Sequence, residues 1–207
     1  MNRLLRNSDR KKYRELIEKM IKLIPEIMAK KYPLANVQQA WTFDMINTEL
    51  IEKPKASILC VGSFEDSSSA YMEKLGIPVT NIDPDINVDL HTFLLSTKDT
   101  FDIIFSTSVI EHVEEDELFI KDICTLLSDG GVAILTCDFN NEYKIGDKVI
   151  YPDFRFYTEE DLNARLRQII EDYGCTLVGD IDWSGEPDFH LVGFNYSFAT
   201  LMFRKNK

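Results

Sequence analysis

Neither a C-x-x-C pair nor a His/Cys spacing suited to zinc occurs in this chain of 207 residues. The four cysteines, Cys60, Cys124, Cys137 and Cys175, all fall in apolar segments, which argues against a disulfide scaffold and for reduced packing thiols in a cytoplasmic protein. Glycine is sparse: of nine, only Gly62 follows a strand pattern where a G-x-G-x-x-G phosphate loop would begin, and its companions are missing. No apolar run approaches membrane-spanning length, and the opening MNRLLRNSDRKK lacks the apolar stretch of a signal peptide. An excess of positive charge is also lacking. The net charge is −12, with residues 1–31 summing to about +6 and the remainder to about −18. An acidic body is a poor polyanion binder, so neither nucleic acid nor membrane is an expected partner.

What is present is organised as one domain with a helical leader. Residues 1–50 are expected to form an N-terminal helical extension, and residues 51–207 an α/β domain. Tyr13, Leu16, Ile17, Met20, Ile21, Ile24 and Met28 recur at helical spacing, with a bend or restart expected at Pro25. From Ser57 the chain alternates: a strand at Ile58–Val61, a helix near Ser67–Leu75, strands at Val79–Ile82 and around Val88, then Phe101–Phe105, a helix, and a strand ending at Asp138. Such βα repeats predict a parallel sheet with helices on both faces. A helix over Glu159–Tyr173 precedes two strands, Thr176–Trp183 and Ser197–Phe203. With no helix between them, these two are expected to pair antiparallel.

Candidate site residues cluster at the carboxyl ends of the predicted strands, where open α/β sheets bind ligands. In the turn after Ile58–Val61, Gly62 serves a tight turn, while Glu65 and Asp66 would repel a pyrophosphate; Asp66 or Ser67 also suits a helix N-cap. Asp83, at the next strand end, is placed to accept hydrogen bonds from two ribose hydroxyls. Asp89 is either an acceptor for an adenine amino group, with Leu90 covering the ring, or a surface turn residue. His112, beyond the polar run Ser106-Thr107-Ser108, is a candidate general base or a packing histidine. Asp138 is an alternative base, a substrate acceptor or, with Asp153, a metal ligand; two aspartates do not define a metal site, and none is assigned. The segment Asp153-Phe154-Arg155-Phe156-Tyr157 reads as a substrate wall, with Arg155 pairing a carboxylate or phosphate, or as a loop anchored by its aromatics.

The sequences CVGSFEDSS, IDPDINVDL, FSTSVIEHV, LTCDF and DFRFYTEEDL resemble, in order and spacing, the motifs of class I S-adenosylmethionine-dependent methyltransferases, in particular a bacterial sugar or small-molecule O-methyltransferase subgroup. The resemblance implies a Rossmann-like seven-stranded sheet with an antiparallel last strand. It implies S-adenosylmethionine as cofactor, with Gly62 and Ser63 near its methionine part, Asp83 at the ribose, and Asp89 and Leu90 at the adenine. Ser106 and Thr107 would lie beside the sulfonium, with Phe64 and Pro84 flanking the same pocket. It further implies a small polar acceptor such as a sugar. The chain departs from the family at Cys60, where Asp or Glu is usual, and at Ser63-Phe64-Glu65, which replace a glycine-rich turn. A methyltransferase-like binding protein without turnover is the competing expectation. The basic N-terminal helix, about residues 9 to 31, is expected as a movable cover over the crevice; a permanent helix contact, within the domain or across a homodimer, is the alternative.

Overall fold

The computed structural model describes residues 1–191 and 193–207. In chain order the elements are β1 (Asn2–Leu5), α1 (Asn7–Lys12), α2 (Arg14–Leu23), α3 (Pro25–Met28), a 3₁₀ turn (Pro33–Ala35), α4 (Asn36–Glu52), β2 (Ile58–Val61), α5 (Ser67–Lys74), β3 (Thr80–Ile82), α6 (Leu90–Ser96) and β4 (Phe101–Thr107). A 3₁₀ turn (Ile110–His112), α7 (Asp116–Leu126) and β5 (Leu127–Phe139) follow. A π-helical stretch (Asp161–Leu166) runs into α8 (Arg167–Asp172), and β6 (Cys175–Leu177), β7 (Ile181–Asp182), β8 (Phe189–Leu191) and β9 (Phe194–Lys205) complete the chain.

The strands form one mixed sheet in the order β3-β2-β4-β5-β9-β1-β7, with β6 and β8 also pairing with β9. β3, β2, β4 and β5 are mutually parallel, whereas β9 runs antiparallel to β5 from Val132 opposite Arg204 to Phe139 opposite Ser197. β6 is antiparallel to β9, as the absence of a crossover helix requires. Side chains alternate across the strands and so build two cores. Leu59, Ile104, Ala133 and Leu135 face α7 and α8 through Ile120, Ile123, Leu166 and Ile170. Ile58, Cys60, Ile103, Phe105 and Ile134 face the opposite layer, with Met20, Trp41, Ile46 and Met72. All four cysteines are buried free thiols.

Three departures from the sequence expectations have physical causes. Among the described residues the sheet has nine strands against the seven expected: the expected strand 176–183 is split into β6 and β7, β8 is added, and the chain's beginning is itself a strand, β1, which pairs antiparallel with β9 and parallel with β7. Asn2 is fully buried, its amide donating to Val178 O and Met202 O while its carbonyl accepts from Met202 N. Residues 1–50 are therefore not a separate helical extension. The apolar stripe of the leader is core, with Tyr13, Met20, Ile24 and Met28 buried against the sheet. Second, residues 36 to 52, within which the sequence reading singled out no helix of its own, form the 17-residue helix α4; Asn36, Gln38, Gln39 and Thr42 are buried along with Val37, Ala40 and Trp41, which erases the amphipathic pattern. Third, Val88 is not a strand. Its amide closes a turn on Asp83 O, and α6 starts two residues later.

Candidate active site

The carboxyl ends of β2, β3 and β4 open into a cavity of about 730 Å³, closed on one side by residues from the end of the α3 segment and the start of α4. Gly62 begins its wall. With φ at +79°, and with Val109 packed where a β-carbon would project, this position takes only glycine without strain. Two non-glycine residues also hold left-handed backbone, Glu65 (φ 60°) and Ser108 (φ 52°), and both line the cavity. Such conformations cost of order 1–3 kcal/mol and persist where the surroundings over-determine them. Ser108 is fixed by its hydroxyl to Gln38 Oε1 (2.9 Å), Glu65 by an ion pair with Lys30 (2.9 Å).

The carboxylates are held by backbone amides, which sets their directions. Asp83 accepts from Phe64 N (3.0 Å) through one oxygen and from Asp85 N (2.8 Å) through the other, leaving a lone pair on each. Asp66 caps α5 through Ser69 N, and Asp89 caps α6 through Thr92 N. The Thr92 hydrogen bonds hold the Asp89 carboxyl below its usual range, whereas burial pushes that of Asp66 up. Glu65, Asp66, Asp83, Asp85, Asp89, Glu115 and Asp122 line the cavity against a single lysine, Lys31. A wall of that sign repels phosphates and attracts cations, which fits a ligand carrying ammonium and sulfonium groups. Apolar faces for a flat ring come from Leu90, Val88 and Phe119.

His112 lines the other part of the cavity, its side chain 39% exposed and its Nδ1 2.9 Å from Asp153 Oδ1. Asp153 arrives from the segment after β5, which is pinned by backbone bonds from Phe154 N to Glu111 O and from Tyr157 N to Asp138 O. Behind the histidine lies a buried acidic group. Burial, partly offset by the His112 charge, pushes the Glu111 carboxyl up to about 7. Burial, reinforced by the charges of Glu111 and Asp153, raises Asp138 well above the carboxylate range. For His112, burial lowers the pKa, but Asp153 and Glu111 outweigh it and the net shift is upward.

Of the residues singled out in the sequence, Gly62, Phe64, Asp83, Pro84, Asp89, Leu90, Thr107 and His112 come together around the cavity. Ser63 and Ser106 stand behind it; Ser106 Oγ donates to Val61 O (2.9 Å) and ties β4 to the tip of β2. Asp138 does not reach the cavity wall, and burial with the neighbouring acidic charges raises its pKa well above the carboxylate range. Arg155 and Tyr157 do not line the cavity either. Arg155 pairs with Asp116 (3.1 Å), and the buried Tyr157 hydroxyl donates to the same carboxylate (2.9 Å), because Asp116 needs both cations and donors at a buried helix start. The sequence reading missed Lys31, Asn36, Gln38 and Gln39, which precede the first βα unit and carry no motif. It also missed Val109, whose role exists only through its contact with Gly62. Among the described residues, no group of three His, Cys, Asp or Glu side chains is arranged to hold a metal ion.

Residues 26–178 match a protein family described as a methyltransferase domain. No curated protein sequence matches the chain. Among solved structures, TehB from Haemophilus influenzae is similar at 14% identity and a TM-score of 0.54 over 79% of this chain, which spans only 62% of TehB. Magnesium protoporphyrin IX methyltransferase from Synechocystis PCC 6803, solved with bound S-adenosylhomocysteine, is 15% identical with a TM-score of 0.53, over 95% of this chain and 98% of that one. The 1,6-didemethyltoxoflavin N1-methyltransferase of Burkholderia thailandensis, solved with its substrate and S-adenosylhomocysteine, is 13% identical with a TM-score of 0.57, over 96% and 91%.

Proposed function

The chain belongs to the methyltransferase-domain family, and on that footing we propose that it transfers a methyl group from S-adenosylmethionine to a hydroxyl of a small polar molecule, a sugar being the leading class. The observation that carries the reading is His112, whose Nδ1 is engaged by Asp153 while the ring borders the cavity. Gly62, Asp66, Asp83, Asp89 and Leu90 would hold the cofactor: the left-handed turn at position 62, packed on Val109, brings its backbone to the cavity, and the acids suit a cationic ligand. When bound, S-adenosylmethionine supplies an activated methyl group whose carbon–sulfur electron pair stays with sulfur as the acceptor oxygen forms the new bond.

The chain's own contribution is positioning and proton removal. Holding an acceptor in line contributes roughly 7–11 kcal/mol in well-oriented systems, and a positioned base ~10²–10⁴-fold in rate. His112 takes the hydroxyl proton. Lys31, Asn36 and Gln38, contributed by the leader and α4, supply the polar contacts a multiply hydroxylated acceptor needs; Asn36 Oδ1 is buried with no hydrogen-bond partner among the described residues. The test is a methyl-release assay over a panel of hydroxylated metabolites and sugars, with His112→Gln alongside. Turnover on a hydroxyl acceptor that falls at least tenfold in the variant supports the reading; turnover confined to amine or thiol acceptors refutes it.

A second reading, a cofactor-binding protein without turnover, is favoured by the turn itself. The exposed Phe64 and the left-handed Glu65 stand where the family resemblance leads one to expect small residues. Cofactor binding without methyl release to any acceptor in the same panel selects it.

A further inference from the structure

We propose that Asp153 is the positioning residue of the base: it fixes the tautomer and orientation of His112, so that Nε2 is the atom presented to the acceptor. The inference deepens the methyl-transfer reading and rests on it. The geometry is specific. Asp153 Oδ1 lies 2.9 Å from His112 Nδ1, and the Asp153 side chain is 4% exposed. Its second oxygen, Oδ2, is buried with no hydrogen-bond partner among the described residues. A buried carboxylate with one oxygen unsatisfied is costly, and the imidazole is the partner that offsets it. His112 Nε2 makes no hydrogen bond to the described residues. A neutral imidazole that donates from Nδ1 is obliged to carry its lone pair on Nε2, which is the form a base requires.

The remaining charged and titratable groups around the ring come from four elements. Glu111 comes from the same 3₁₀ turn, Asp138 from the end of β5, Tyr196 from β9 and Lys31 from the leader. Burial raises Glu111, Asp138 and Tyr196, and the carboxylate that stands directly against the ring is Asp153, at 2.9 Å from Nδ1. In the reaction the proton of the acceptor hydroxyl passes to Nε2, and the resulting imidazolium is stabilised by Asp153 until Nε2 returns the proton to solvent.

Asp153→Asn retains the shape and a possible acceptor but removes the charge. The chain's three histidines, His91, His112 and His190, can be followed by NMR titration of their ring protons, with His112→Gln identifying the His112 signal. In Asp153→Asn the His112 pKa should drop by about one unit or more, since an opposite charge at this distance shifts a pKa by roughly 1–3 units. Asp138→Asn should move it less. Turnover should fall roughly 10²-fold, with the acidic limb of the pH–rate profile displaced to lower pH and S-adenosylhomocysteine affinity unchanged within about threefold. An unshifted His112 titration, or parallel loss of cofactor affinity and melting temperature, overturns the positioning role. A shifted titration in a protein that methylates no acceptor leaves the coupling in place and sinks the methyl-transfer reading instead.

Discussion

Val109 packs against Gly62 so closely that a β-carbon at position 62 would overlap its side chain. The turn after β2 and the 3₁₀ turn after β4 are thereby joined across the cavity floor. Gly62→Ala meets two penalties, the overlap and the left-handed backbone at φ +79°, together on the order of 1–3 kcal/mol. A lowered melting temperature and at least tenfold weaker binding of S-adenosylhomocysteine are expected. Wild-type affinity in this variant would show that the turn does not approach the ligand.

Asp83 serves the turn and the ligand at once. Its oxygens already accept from Phe64 N and Asp85 N, and a ribose diol would take the remaining lone pairs. Asp83→Ala should weaken cofactor binding by roughly 1–3 kcal/mol, the range for losing hydrogen bonds to a charged group. Calorimetry decides it, and an unchanged dissociation constant removes Asp83 from the site.

The first five residues should be indispensable. Leu4 and Leu5 are buried, and each contributes ~1.5–3 kcal/mol on burial. Deleting residues 1–5 also strips β9 of the partner beside Phe198 and Ala199. A fall in melting temperature of about 10 °C or more is expected from those two leucines alone. A truncated protein melting within a few degrees of the full chain would contradict the placement of β1 in the sheet.

How much of this was legible beforehand depends on whether the signal was local. The strand ends bearing Gly62, Asp83 and Asp89 announced themselves because each joins an apolar run to a turn residue, and the structure gathers all three at one cavity. His112 was legible for the same reason. The packing of Arg155 and Tyr157 was not legible because it depends on a distant partner: Asp116 lies 39 positions from Arg155 and 41 from Tyr157. β1 was hidden by its shortness and by Asn2, a polar residue whose burial makes sense only beside Val178 and Met202. α4 was hidden because its first turns are buried on every side.

Glu111 gives the pH dependence a definite sign. Its folded-state pKa is raised to about 7, above an unfolded value near ~4.3. Between these values the folded protein keeps a proton that the unfolded chain has lost, so the stability this group contributes is full below the window and falls away as pH rises through it. Glu111→Gln should remove that slope. The melting temperature of the wild type, relative to the variant, should decline from about pH 4.5 to 7, whereas parallel curves would mean that Glu111 ionises normally.

The proposed site rests on an acidic turn opened by Gly62 and on a cavity suited to a cationic, phosphate-free nucleoside. Titrating S-adenosylmethionine into the purified protein by calorimetry, with a nicotinamide dinucleotide as the comparison ligand, tests that most directly. The account predicts one-site saturable binding of S-adenosylmethionine and none of the dinucleotide. Absence of S-adenosylmethionine binding at millimolar concentration, or tighter binding of the dinucleotide, would contradict it.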